Sequence, residues 1–252
     1  MRKIKLFSLL LIMMMTNAWA INWSYSSGAG PRYWGLLTPE FSTCGHGRQQ
    51  SPINLTHAVP LQDGHLSVHY RNSAFTLRQS PHNLYQDNTK LTKNYLVYNG
   101  QRYNLVEIHF HVPSEHRLNG YQYPMEAHLV HQNSQHQILV LGIFLKTGRD
   151  NDYLAALLSS PQFKTLDEEI ERPVELNPLK LNPTGLLAQV KQYYVYDGSL
   201  TTPPCAEGVK WIVAKTPVEL SEEQLKAFKA QITPFNSRPL QPLDGRVVQF
   251  KS

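Results

Sequence analysis

Residues 103–111 read Tyr-Asn-Leu-Val-Glu-Ile-His-Phe-His, and residues 126–131 read Glu-Ala-His-Leu-Val-His. Both alternate with period two, the spacing at which side chains of an extended strand point to opposite faces. Glu107, His109 and His111 therefore share one face while Ile108 and Phe110 share the other. Glu126, His128 and Val130 share a face of the next strand in the same way. Adjacent strands lie about 4.8 Å apart, so His128 can complete a triangle with His109 and His111.

Similar runs surround this pair at 66–70, 95–98, 137–146, 192–196 and 209–214. They are rich in Val, Ile, Tyr and Phe and are broken by Asn-Gly, Asp-Gly and Pro, which predicts a sheet-dominated, mainly β (α+β) fold. Helix is a minor part. Asp152 is read as the cap of a short helix carrying Leu154, Leu157 and Leu158. Ser221 and Gln224 form a capping-box pattern ahead of Leu225, Phe228 and Ile232. Neither helix carries a reactive group on its apolar face.

The chain has 252 residues, 41% hydrophobic and 17% charged, with 17 Pro and 14 Gly. This excludes collagen, coiled coil and a disordered chain. The amino terminus carries Arg2, Lys3 and Lys5, an apolar run from Leu6 to Met15, and Ala18-Trp19-Ala20. That pattern predicts a signal peptide over residues 1–20, an exported protein, periplasmic or secreted, and one domain over residues 21–252. Without the leader, 21 basic residues face 19 acidic ones, a net charge of +2 instead of +5. Nucleic-acid binding loses its compositional support, and no later run reaches the ~20 apolar residues of a membrane span. Export also places Cys44 and Cys205 where disulfides persist. A bridge between them predicts up to about 5 kcal/mol of stabilisation in the chain-entropy picture. Two buried free thiols are the alternative.

Three imidazoles with a fourth position open describe a catalytic rather than a structural zinc site. Imidazole also suits copper, iron and nickel, with Zn²⁺ favoured. Glu107 and Glu126, each two residues before a histidine, are candidate acceptors for the ring protons.

In chain order, His109-Phe110-His111, Ser114-Glu115-His116, residues 126–131, residues 140–145 (Val-Leu-Gly-Ile-Phe-Leu) and residues 198–204 (Gly-Ser-Leu-Thr-Thr-Pro-Pro) resemble the signature segments of the α-class carbonic anhydrases. Gln50-Ser51-Pro52-Ile53 and Asn236-Ser237-Arg238-Pro239 fit the flanking ones, so the resemblance runs from Trp23 to about Val248. It implies a large, twisted, mostly antiparallel mixed sheet with short peripheral helices. The implied activity is reversible hydration of carbon dioxide to bicarbonate and a proton by a water that zinc acidifies. For carbonic anhydrases in general that acidification brings the pKa of water down to about 7.

The resemblance also implies roles. His109, His111 and His128 hold the metal; Glu115 and Thr201 orient the attacking hydroxide; Val130, Val140, Leu200, Thr201, Thr202 and Trp211 receive the substrate. His82, in Ser80-Pro81-His82-Asn83, is the candidate proton shuttle, with Tyr25 and Tyr196 ordering the water path. Asn236 supports His111, while His116 and His131 are structural. Glu107 departs from the glutamine common in relatives, and its charge is expected to tune the bound water. Monomer and homodimer are both open. Two further readings are kept: a cupin-like metalloenzyme, in which Glu115 is a ligand, and a carbonic-anhydrase-like binding protein without catalysis.

Overall fold

The computed structural model describes residues 22–89, 93–164, 178–187, 190–230 and 235–252. The expected signal peptide and its cleavage point after Ala20 lie outside these residues, as does Ile232. Alternation of apolar and polar residues yields long strands that pair into an open sheet of 13 strands among the described residues, with no closed barrel. Its middle comprises β1 (Ser73–Gln79), β2 (Leu84–Asn88), β3 (Gln101–His111), β4 (Met125–Gln132), β5 (Ile138–Thr147), β6 (Tyr193–Ser199) and β7 (Glu207–Ala214). They lie side by side in the order β1-β2-β3-β4-β5-β7-β6. All these neighbours are antiparallel except β5 and β7, which run parallel, so the sheet is mixed as expected.

The period of two sorts the faces. Ile108, Phe110, Ala127, Leu129, Leu139, Leu141, Ile143 and Ile212 enter one buried apolar cluster. Val140, Phe144, Val209, Trp211 and Val213 enter another, on the face that carries the histidines. A one-residue slip in register would exchange these sets, so burial on both faces pins the alignment of the strands.

Helix Asp152–Ser159 covers the first cluster with Tyr153, Leu154 and Leu157. Its cap is Asn151 and not Asp152. Asn151 is extended and its side chain accepts from the N–H groups of Tyr153 and Leu154, leaving Asp152 in the first turn, where its charge suits the helix dipole. Helix Glu222–Lys229 has the expected capping box, with both Ser221–Gln224 bonds formed, and sets Phe228 5.0 Å from Phe110. Cys44 and Cys205 are joined in a disulfide, so they are not free thiols. No helix among the described residues is long and apolar enough to cross a membrane.

Candidate metal centre

The antiparallel ladder between β3 and β4 sets His128 opposite His109 and Glu126 opposite His111. One ring nitrogen of each histidine then lies within 4.8 Å of the others. Outer contacts determine which nitrogen that is. His109 Nδ1 donates to Glu107 Oε1 at 3.1 Å, His111 Nδ1 to the Asn236 carbonyl at 2.7 Å, and His128 Nε2 to Glu126 Oε1 at 3.0 Å. The opposite nitrogen of each ring, Nε2 of His109 and His111 and Nδ1 of His128, is left for another partner. His111 Nε2 is buried with no hydrogen-bond partner at all.

A buried polar atom without a partner is costly, and His111 Nε2, gathered within 4.8 Å of a nitrogen of each of the other two rings, fits a cation. Burial, reinforced by the neighbouring rings, holds His111 well below the ordinary histidine range. Burial likewise brings His128 down to about 4. Both rings are therefore neutral near pH 7, which is the ligating form. Three imidazole nitrogens suit zinc, copper, iron or nickel.

A second set, His116, Glu126 and His128, also gathers its ligand atoms within 4.8 Å of one another. Its atoms are already committed. Glu126 Oε1 accepts from His116 Nδ1 at 2.7 Å as well as from His128, and Oε2 accepts the backbone N–H groups of Glu115 and His116 at 2.9 Å each. His116 Nε2 pairs with the Tyr196 hydroxyl at 2.6 Å, which also meets Ser51 Oγ at 2.8 Å. Burial alone would raise the Glu126 carboxyl, but His116 and His128 outweigh it and hold it well below the usual range. Tyr196 thus supports His128 through His116 and Glu126.

Glu115 lies behind His111 and His128, with Oε1 3.5 Å from His111 Nδ1 and Oε2 3.9 Å from His128 Nδ1. Oε1 accepts the Arg238 backbone N–H at 2.8 Å. Burial pushes this carboxyl well above the ordinary range, opposed first by the Thr201 hydroxyl and then by the Arg238 N–H. Thr201 and Thr202 follow β6 in a loop closed by the Cys205 N–H on the Thr202 carbonyl at 2.8 Å. The disulfide ties that loop to Cys44.

Strand register accounts for the apolar residues. Glu107, Val130, Val140, Trp211 and Tyr196 are consecutive partners across β3, β4, β5, β7 and β6. His109, His128 and Gly142 form the adjacent row. Val130, Val140 and Trp211 therefore sit side by side next to the imidazoles, with the Trp211 ring 4.8 Å from that of His128. Trp211 Nε1 donates to the Ser199 carbonyl at 2.9 Å, and Leu200 packs on the same cluster.

His82 stacks on Trp23 with ring centroids 3.7 Å apart, and its carbonyl accepts from Asn236 Nδ2 at 3.3 Å. The Tyr25 ring is 6.2 Å from His82, and the Tyr25 hydroxyl is buried without a partner, burial holding its pKa well above the ordinary value. Asn236 supports His111 with its carbonyl while its amide accepts from Val112 N–H at 2.8 Å and donates to the Phe110 carbonyl at 3.0 Å. The fold brings His109, His111 and His128 together and sets Glu107, Asn236 and Glu126 on their outer nitrogens. It adds Trp23, which no motif singles out, and Arg78, whose guanidinium reaches Glu107 Oε2 at 3.1 Å. Arg78 sits 29 positions from Glu107, and only the strand order brings them together.

A family model described as eukaryotic-type carbonic anhydrase matches residues 29–252. The chain is 36% identical over 240 residues to a carbonic anhydrase of Klebsiella pneumoniae, covering 95% of each. It is similar to the structure of an α-carbonic anhydrase from Thermovibrio ammonificans in complex with the inhibitor sulfanilamide, at 40% identity and a TM-score of 0.80 over 91% of this chain and 99% of that one. Dioscorin complexed with ascorbate aligns at 33% identity with a TM-score of 0.82, over 92% of this chain and 98% of that one.

Proposed function

The chain belongs to the eukaryotic-type carbonic anhydrase family, and on that premise we propose that it is an exported zinc enzyme that reversibly hydrates carbon dioxide to bicarbonate and a proton. The observation that carries this reading is the set of three ring nitrogens left over by the outer partners, above all the buried and unpartnered His111 Nε2. His109, His111 and His128 would hold the ion. Zinc bound there supplies positive charge, which acidifies a water to a pKa near 7, the general value for carbonic anhydrases, and favours the ionised form of Glu115.

This chain's own residues do the rest. Glu115, its Oε1 occupied by the Arg238 N–H, offers Oε2 to the Thr201 hydroxyl. Thr201 then has only lone pairs to turn toward the nucleophile, so it accepts a hydrogen bond from that group's O–H and thereby turns the group's own lone pair toward the substrate carbon. Val130, Val140, Leu200 and Trp211 give an apolar surface to a molecule that has no charge and no dipole, and Thr202 offers a hydroxyl to the bicarbonate product. His82 passes the released proton outward to buffer, with Tyr25 along the path. The disulfide is in keeping with an oxidising compartment.

A cupin-like site is disfavoured because Glu115 is not among the described side chains whose ligand atoms gather within 4.8 Å of one another. Glu115→Gln separates the two readings. We expect the variant to keep zinc and lose turnover in stopped-flow hydration; loss of zinc with the carboxylate would contradict the assignment.

A further inference from the structure

Arg78 lies on β1, two strands away from the first candidate ligand, yet it touches both Glu107 and Tyr85, which lie against that ring. Its Nε and Nη2 grip the two carboxylate oxygens of Asp87 on β2 at 2.8 and 3.1 Å. The same Nη2 reaches Glu107 Oε2 on β3 at 3.1 Å. Its guanidinium carbon stands 4.1 Å over the centre of the Tyr85 ring. Glu107 in turn accepts from His109 Nδ1, and the Tyr85 ring lies 5.3 Å from the His109 ring. Arg78, Glu107, His109 and Tyr85 close a loop of contacts around one imidazole.

The charges explain why an arginine is required. Asp87 and Glu107 are direct partners in the β2–β3 ladder. Like charges directly opposite on neighbouring strands destabilise a sheet. Glu107 is only 17% exposed, so water screens it poorly, while Asp87 and Arg78 are each 37% exposed. A planar guanidinium can bond two carboxylates at once and still lie flat on an aromatic ring; an ammonium can do neither as well. With Arg78 in place, both carboxylates stay where the ladder puts them, and Glu107 keeps its second oxygen on His109. Without it, repulsion from Asp87 would turn Glu107 away and release the proton acceptor that fixes the tautomer and orientation of the His109 ring.

We propose that Arg78 is a positioning residue for His109: by bridging Asp87 and Glu107 and covering Tyr85, it holds that ring in its ligating orientation. The inference rests on the assignment of His109, His111 and His128 as the zinc site, and it reaches a residue that never touches the metal.

The test is zinc retention, measured by competition with a chelator on the purified full chain at a fixed pH, with thermal melting to check the fold. Arg78→Met should weaken zinc retention roughly tenfold, the low end of the losses seen when a ligand's outer partner is removed. Adding Asp87→Asn to Arg78→Met removes the repulsion and should bring retention back to near the wild-type value. A general loss of stability would not be reversed by that second change. If Arg78→Met does not fold, Arg78→Lys takes its place, with weaker retention restored in Arg78→Lys/Asp87→Asn. Unchanged retention in the single variant, or no recovery in the double one, overturns the proposal and leaves the zinc site standing. A wild-type chain that binds no zinc overturns both.

Discussion

One oxygen of Glu126 lies 3.0 Å from His128 Nε2 and 2.7 Å from His116 Nδ1, so a single carboxylate oxygen fixes the third candidate ligand and anchors it to a ring that is itself held by Tyr196. The other oxygen accepts two backbone N–H groups. Glu126→Gln puts an amide NH₂ where one of these oxygens now accepts, whichever way the amide turns. Zinc affinity should fall by about 10–100-fold, the usual cost of removing a ligand's outer partner. The melting temperature of the metal-free chain should fall as well, because buried donors lose their acceptor. Chelator competition and calorimetry on the same variant check both.

Thr201 is expected to act on the nucleophile alone. Thr201→Ala should slow hydration by about a hundredfold, in the range of one lost proton-positioning group, while zinc content stays at the wild-type level. Stopped-flow rates and metal analysis separate the two. A Thr201→Ala variant that loses zinc would make Thr201 structural.

His82 gives a prediction that depends on buffer. Its ring stands against Trp23, and Asn236, which supports His111, also bonds its carbonyl. His82→Ala should lower turnover roughly tenfold in dilute buffer and regain it when a buffer titrating near pH 7 is added. Turnover that is unchanged in dilute buffer would assign the proton path to another group.

His131 predicts how the fold responds to acid. It is fully buried, its Nδ1 donates to the Leu139 carbonyl at 3.3 Å, and Nε2 pairs with the Tyr70 hydroxyl. Burial brings its pKa from 6.5 down to about 3. Above pH 6.5 the ring is neutral in folded and unfolded chains alike and contributes no pH dependence. As the pH falls through 6.5 only the unfolded chain takes up the proton, so stability drops by about 1.4 kcal/mol per pH unit on account of this group. His131→Asn should flatten the urea-unfolding stability between pH 6.5 and 4 by about one proton's worth of slope. A slope that does not change would mean that His131 titrates in the folded chain.

Much of this was readable from residue alternation. The faces of β3 and β4 follow from period two alone, and with them the convergence of His109, His111 and His128. Of the expected apolar wall only Val130 was readable that way, on the face of His128; Val140 and Trp211 become its neighbours only through the register of β4, β5 and β7, the last two parallel. Arg78 was invisible for the same reason: its partners Asp87 and Glu107 are 9 and 29 positions away on separate strands. The helix cap slipped by one residue, from Asp152 to Asn151, because both side chains can accept and only the backbone conformation decides between them. The contacts of Tyr196 with Ser51 and His116 were not readable because those partners lie 145 and 80 positions away.

The claim at the centre is that three imidazole nitrogens hold one ion and that hydration depends on it. Adding zinc stepwise to the metal-free chain while recording carbon dioxide hydration tests this directly. The account predicts a rate that climbs linearly and stops at one equivalent of zinc, and a flat line for His111→Ala. A fully loaded chain no faster than buffer, or a His111→Ala chain that climbs like the wild type, would contradict it.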